Sequence, residues 1–188
     1  MKFNCEKVWC RMNQIRKFTS SEDKMRFVID IARKALDQGE LPIAAAIFLG
    51  DELIHYSHTS EQQDKRYLVH AEQKVLLEVD QMGFDFKSRK KLELYTNLEP
   101  CLMCLGMAIS CAIGEIYYSV EAVEDGAVDF VKKEYDTRTF GTSNPFTMPQ
   151  IVKGLLRDQS IGLFREFVER YSDGMGVEFA RSIYGSYT

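Results

Sequence analysis

Hydrophobic positions change their period along this chain, and each change marks an element. Between residues 22 and 39, Phe27, Val28, Ile31, Ala35 and Leu36 recur at helical spacing, with Ser20 or Ser21 as N-cap and Gly39 as the stop. Residues 43–49 and 52–58 then read as two short strands around the turn Gly50-Asp51. In the second, Ile54, Tyr56 and His58 share one face, and Leu53, His55 and Ser57 share the other. From His70 the period is helical again, with Val75, Leu76, Val79 and Met82 on one side. Residues 92–96 predict a strand, 101–111 a helix entered through Pro100, and 116–120 another strand. Residues 148–153 supply a fifth strand, and Ile161, Phe164, Phe167, Val168 and Tyr171 mark a closing helix. The order β-β-α-β-α-β predicts an α/β layered sandwich on a mixed, about five-stranded sheet.

Length and charge sharpen this picture. The 188 residues contain no repeat or Pro-rich linker, which fits one domain with a full core. We divide it into a basic N-terminal extension over 1–20, a body over 21–171 and a C-terminal tail over 172–188. The longest apolar stretch, 101–113, is broken by Gly106 and Ser110 and is shorter than the roughly 20 residues that span a bilayer, so it reads as a core helix. Charges scattered through the first residues do not fit a secretory signal, so a cytoplasmic location and no membrane association are expected. The net charge of −4 argues against a broad nucleic-acid-binding field. Five basic residues against Glu6 nevertheless leave +4 on the first twenty positions and −8 on the rest. That arm reads as solvated, with an RNA contact as the alternative. The run Lys87, Arg89, Lys90 and Lys91 reads as a solvated loop, and Trp9, Phe164, Phe167, Tyr171, Phe179 and Tyr184 read as packing residues.

The five cysteines, Cys5, Cys10, Cys101, Cys104 and Cys111, are an odd number without an export signal, which argues against a disulfide framework. Cys101 and Cys104 instead form a Pro-Cys-x-x-Cys string at a predicted helix start, and His70-Ala71-Glu72 stands at the start of the preceding helix. In a chain of this composition the first string is expected by chance about 0.003 times and His-x-Glu about 0.26 times, so the pair is far more specific than either part. Two helices springing from the same sheet edge bring these motifs together. One imidazole and two thiolates are a three-ligand set for catalytic Zn²⁺, with a fourth position open to water whose pKa the metal lowers. The positive end of a helix favours the thiolates. Glu72 can face the same cavity without being a ligand and can carry a proton from water to a leaving group. A structural zinc clip ordinarily takes four protein ligands, and a redox dithiol leaves His70 and Glu72 unexplained.

The segments GELPIAAAIF (39–48), HAEQKVL (70–76) and LYTNLEPCLMCLGMAIS (94–110) resemble the cytidine deaminase-like superfamily, in the branch of tRNA adenosine deaminase, guanine deaminase and yeast-type cytosine deaminase. A weaker likeness extends over about residues 22–170. The resemblance implies a three-layer α/β/α sandwich, zinc held by His70, Cys101 and Cys104, and Glu72 as the proton shuttle of a hydrolytic deamination. It also implies that backbone groups around Glu99 hold the exocyclic amine, and that the protein is a homodimer. Relatives commonly carry an Asn about a dozen residues before the motif His, where this chain has His58-Thr59-Ser60. His58, together with Thr59, is therefore a candidate substrate contact, His58 in place of the Asn. Ala44-Ala45 replaces a common Gly-Ala, making Ala45 a further candidate, and Asn97 replaces a common Thr. These departures and the net acidity point first to a nucleobase, nucleoside or related small aminated heterocycle. Adenosine-to-inosine editing of tRNA is the alternative, favoured by the motif wording and the basic arm. A silent zinc scaffold is the third reading, opposed by the presence of Glu72.

Overall fold

Ser20 begins the first helix by accepting a hydrogen bond from the Asp23 N–H, 3.1 Å away, and the computed structural model describes the chain over residues 18–137 and 146–187. Residues 1–17, which carry all five basic residues of the arm and Trp9, therefore lie outside the described residues. Helix α1 (Ser21–Asp37) buries Met25, Val28, Ile29, Ala32, Ala35 and Leu36 along one stripe. It ends where Gly39, at φ 83°, lets the Glu40 N–H turn back to the Ala35 carbonyl.

Strands β1 (Ala44–Leu49) and β2 (Glu52–His58) form an antiparallel hairpin, with Gly50 at φ 57° in its turn. The short helix α2 (Glu61–Asp64) and helix α3 (Ala71–Gln81) follow. After α4 (Phe86–Arg89) come β3 (Leu92–Leu98), α5 (Leu102–Ser110) and β4 (Glu115–Val120). Helix α6 (Val128–Thr137), β5 (Gln150–Lys153), α7 (Arg157–Arg170) and α8 (Met175–Gly185) complete the order.

The sheet order is β2-β1-β3-β4-β5, antiparallel across the first three strands and parallel across the last three. Each inner strand sends alternate residues to opposite layers, as its period of two requires. Ala44, Ala46, Phe48 and Tyr95 pack with α1, α7 and α8, whereas Ala45, Ile47, Leu92 and Leu94 pack with α3, α5 and α6. Because β1 is covered on both faces, its sequence is an unbroken apolar run. The architecture is the α/β sandwich with a mixed five-stranded sheet that the pattern predicts.

Topology positions the site. β2 and β3 both run antiparallel to their shared neighbour β1, so they point the same way and their carboxyl ends lie at one edge. The chain leaves β2 towards α3 and leaves β3 into α5, so the N-termini of these two helices meet there. Asn97, fully buried near the end of β3, fastens that edge by accepting from the Ala44 N–H and donating to the Pro42 carbonyl, both at 2.8 Å. This gives the departure at position 97 a structural role.

Candidate metal centre and catalytic cavity

His70 and Cys101 are the N-cap residues of α3 and α5, both with extended backbone, and neither side chain is used as a cap. Their side chains are thus free to converge. His70 Nδ1 lies 3.6 Å from Cys101 Sγ and 3.6 Å from Cys104 Sγ, and the three donor atoms all lie within 4.8 Å of one another. In a tetrahedral site with Zn–S near 2.3 Å and Zn–N near 2.0 Å, the N···S edge is about 3.5 Å, within about 0.1 Å of both distances. The residues therefore fit zinc in both donor type and spacing.

The two thiols have opposite acidities. The hydrogen bond with Cys104 is the leading cause that draws Cys101 down to about 4, against the effect of burial, and the same contact with burial pushes Cys104 far up. His70 is raised to about 10, first by its hydrogen bond with Cys101 and then by Glu61. Protons are thus shared among three groups that a divalent cation can hold in their place.

Glu72, in the first turn of α3, is almost fully buried, and its Oε1 accepts from Thr96 Oγ1 at 3.4 Å. Burial is the main cause that raises this carboxyl to about 7. It lines the same cavity of about 460 Å³ as His70 and Cys101, a volume within the roughly 300–1,000 Å³ of small-molecule sites.

Of the substrate contacts expected from sequence, Thr59 and Glu99 line this cavity, whereas His58 and Ala45 are not among its lining residues. Ala45 points into the core, and His58 Nδ1 pairs with the Thr59 carbonyl at 2.7 Å. The Glu99 carboxylate accepts from the N–H groups of Ala122 and Val128, at 3.2 and 3.0 Å, and so holds the loop that follows β4. The basic run lies away from the cavity, with Arg89 donating to the Phe84 carbonyl and Lys90 to Thr147.

Several cavity residues escaped the sequence reading. Leu41 and Ile43 come from the lead into β1, Glu61 and Tyr67 from the segment before α3, Asp125 from the loop after β4, and Phe179 from α8. Helix α8 was legible only as a tail, although Val177, Ala180 and Ile183 show helical spacing and are buried. Its end is tied down through Tyr187, whose hydroxyl bonds to Glu121, itself paired with Arg157 at 2.7 Å.

Residues 19–120 match the family model described as the cytidine and deoxycytidylate deaminase zinc-binding region. The chain belongs to this deaminase family. The matched segment includes every candidate zinc ligand and Glu72. A tRNA-specific adenosine deaminase of Rickettsia felis is 30% identical over 138 residues, which cover 72% of this chain and 92% of the relative. That of Bacillus subtilis is 25% identical over 149 residues, 79% of this chain and 89% of the relative. Among solved structures, one from a study of A-to-I editing by tRNA:A34 deaminases is 26% identical, with a TM-score of 0.61 over 74% of this chain and 96% of its own. A guanine deaminase from Nitrosomonas europaea, 23% identical, shares the fold with a TM-score of 0.63 over 82% of this chain and 88% of its own. Among the described residues, no helix is long and apolar enough to cross a membrane.

Proposed function

We propose that this member of the deaminase family hydrolyses the exocyclic amine of adenosine in tRNA, giving inosine and ammonia. The observation that carries the hydrolytic chemistry is one cavity lined by a buried carboxyl, Glu72, beside a His70-Cys101-Cys104 set with tetrahedral zinc spacing. The tRNA substrate rests on the tRNA-specific adenosine deaminases among its relatives, which outweigh the small-substrate reading that the motif departures and the net acidity favoured.

His70, Cys101 and Cys104 would hold the metal, which would supply the Lewis acidity that activates water near neutral pH. Glu72, buried in the wall of the same cavity, is placed to take a proton from the attacking water. Glu72 passes that proton to the ring nitrogen as the water's oxygen bonds to the carbon, then takes the second proton from the added hydroxyl and gives it to the amine. The C–N bond breaks, ammonia leaves with that second proton, and inosine keeps the first on its ring nitrogen. Glu99 and Thr59 bound the cavity where the base lies. Thiolate ligands suit a reducing compartment such as the cytoplasm, and we expect the working form to be a homodimer.

A second reading, a free nucleobase or nucleoside, is favoured by α8, because Gly176 and Phe179 add a wall to the cavity. One experiment separates the two: ammonia release from a panel of bases and nucleosides against inosine formation in a tRNA transcript, each over a range of salt. Activity confined to tRNA and falling steeply with salt supports the first reading, and salt-insensitive turnover of a free base replaces it with the second.

A further inference from the structure

The imidazole that faces the two thiols has a second nitrogen, and that nitrogen is held. His70 Nε2 lies 3.2 Å from Glu61 Oε1, with both side chains about three-quarters buried. We propose that Glu61 is the positioning residue for the metal ligand His70, a carboxylate that fixes the ring's tautomer and direction. When Nε2 carries its proton and donates it to Glu61, the Nδ1 lone pair is left facing Cys101 and Cys104. A negative carboxylate on the outer nitrogen also makes the imidazole a stronger electron donor to a cation.

The surroundings of Glu61 are built to keep it there. It is the first residue of α2, a single turn with no apolar periodicity to hold it. The turn is instead fastened from two sides. Glu40, only 1% exposed, accepts from the N–H groups of Gln62 and Gln63 at 3.1 and 2.7 Å. Lys74, one turn into α3, donates to the His58 carbonyl at 2.9 Å and to Ser60 Oγ at 3.0 Å. Burying Glu40 is costly unless its oxygens are satisfied, and they are satisfied by the backbone that carries Glu61. A buried carboxylate and a lysine thus brace a short segment whose carboxylate meets the metal ligand. The Glu61–His70 contact is not visible as a sequence motif, since the two residues lie nine positions apart across a loop.

The proposal rests on the metal site and not on the substrate assignment, so its test reads metal binding directly. Full-length wild type, Glu61→Ala and Glu61→Gln are stripped of metal, and their Zn²⁺ affinity is measured by competition with a chromophoric chelator. Co²⁺ spectra and metal-free thermal melts are recorded beside it. Glu61→Ala is expected to bind zinc about 10–100-fold more weakly, as for other groups that orient metal-bound imidazoles, and to shift the Co²⁺ ligand-field bands. Glu61→Gln, which keeps an acceptor oxygen, is expected to recover part of the loss. Metal-free melting should stay unchanged. Wild-type zinc affinity in Glu61→Ala overturns the proposal, whether or not KM for substrate rises, because a raised KM alone makes Glu61 a substrate contact. Equal losses in both variants, in step with a lowered metal-free melting temperature, overturn it in favour of a purely structural role. Should the alanine variant not fold, the glutamine variant decides: wild-type affinity and an unshifted Co²⁺ spectrum in it count against the proposal.

Discussion

Thr96 Oγ1 donates to Glu72 Oε1 across 3.4 Å, joining the middle of the sheet to the first turn of α3. The bond holds one carboxylate oxygen of a residue that lines the cavity. Glu72→Gln preserves shape and burial but removes the exchangeable proton. Turnover is expected to fall at least 10²–10⁴-fold, on the scale of general acid–base catalysis, with zinc content unchanged. Metal analysis beside single-turnover kinetics checks this, and near-normal turnover in the zinc-loaded variant would remove Glu72 from the mechanism.

The same residue predicts a pH effect on stability. In metal-free protein the Glu72 carboxyl titrates near 7, above its ordinary value of 4.5, chiefly because burial disfavours the charged form. Between those two values the native state holds a proton that the unfolded chain has released, so stability falls as pH rises and the loss is complete above about pH 7. Glu72→Gln escapes that loss. Above pH 7 it is expected to be more stable than the parent by about 3 kcal/mol, at about 1.4 kcal/mol for each pKa unit, with the gain vanishing below pH 4.5. Urea melts of the metal-free proteins at pH 4.5 and 8 measure it, and a gain that does not grow with pH contradicts the assignment.

Removal of the metal has its own signature. A strong chelator should abolish turnover, and stoichiometric Zn²⁺ should restore it. Cys104 is fully buried, so Cys104→Ala deletes a ligand and is expected to lose both zinc and activity. Activity that persists after verified loss of zinc would contradict the proposed chemistry.

Gly126 explains how the loop after β4 reaches the site. Its N–H bonds to the Ala122 carbonyl at 2.9 Å, and it pairs with Cys101 in an isolated bridge. A Cβ there would lie 2.5 Å from the Ala122 oxygen and closer still to Glu99 Oε2, and the backbone oxygen has no room to yield. Gly126→Ala is expected to cost about 1–3 kcal/mol and to lower activity by displacing Glu99 and the Cys101 cap together. A thermal melt and zinc analysis check it, and an unchanged melting temperature refutes it.

What could be read from sequence follows from how local each signal is. His70, Glu72, Cys101 and Cys104 were legible because rare residue types stand at helix starts, and the topology needed only to close the gap between two motifs. The strands and α1, α3 and α7 were legible through sustained periodicity. The turns α2 and α4, four residues each, have no period to read. Helix α8 carries a stripe, but Gly174, Gly176 and Gly185 give its sequence the look of a loop. The cavity wall was invisible for another reason: Leu41, Asp125 and Phe179 come from distant segments brought together only by the two helical layers. His58 ends β2 as its alternation predicted, yet the neighbouring Thr59 carbonyl occupies its ring nitrogen.

Phe179 tests which substrate the cavity takes. Its ring is partly buried against the core that holds α1, α7 and α8, and it also lines the cavity. Phe179→Ala opens the wall and deletes apolar contact area, at about 1–3 kcal/mol of binding for a ligand that rests on the ring. For a free base or nucleoside, much of whose binding comes from cavity walls, KM is expected to rise about 10–100-fold with kcat little changed. A base presented by tRNA is held largely through contacts along the phosphate backbone, so its KM should change only a few-fold. The parent and variant are compared on adenosine, guanine and a tRNA transcript at fixed salt, with a thermal melt to measure the stability cost. A large KM effect confined to the free base or nucleoside gives α8 a part in substrate selection, whereas equal effects on all three substrates reduce Phe179 to a packing residue.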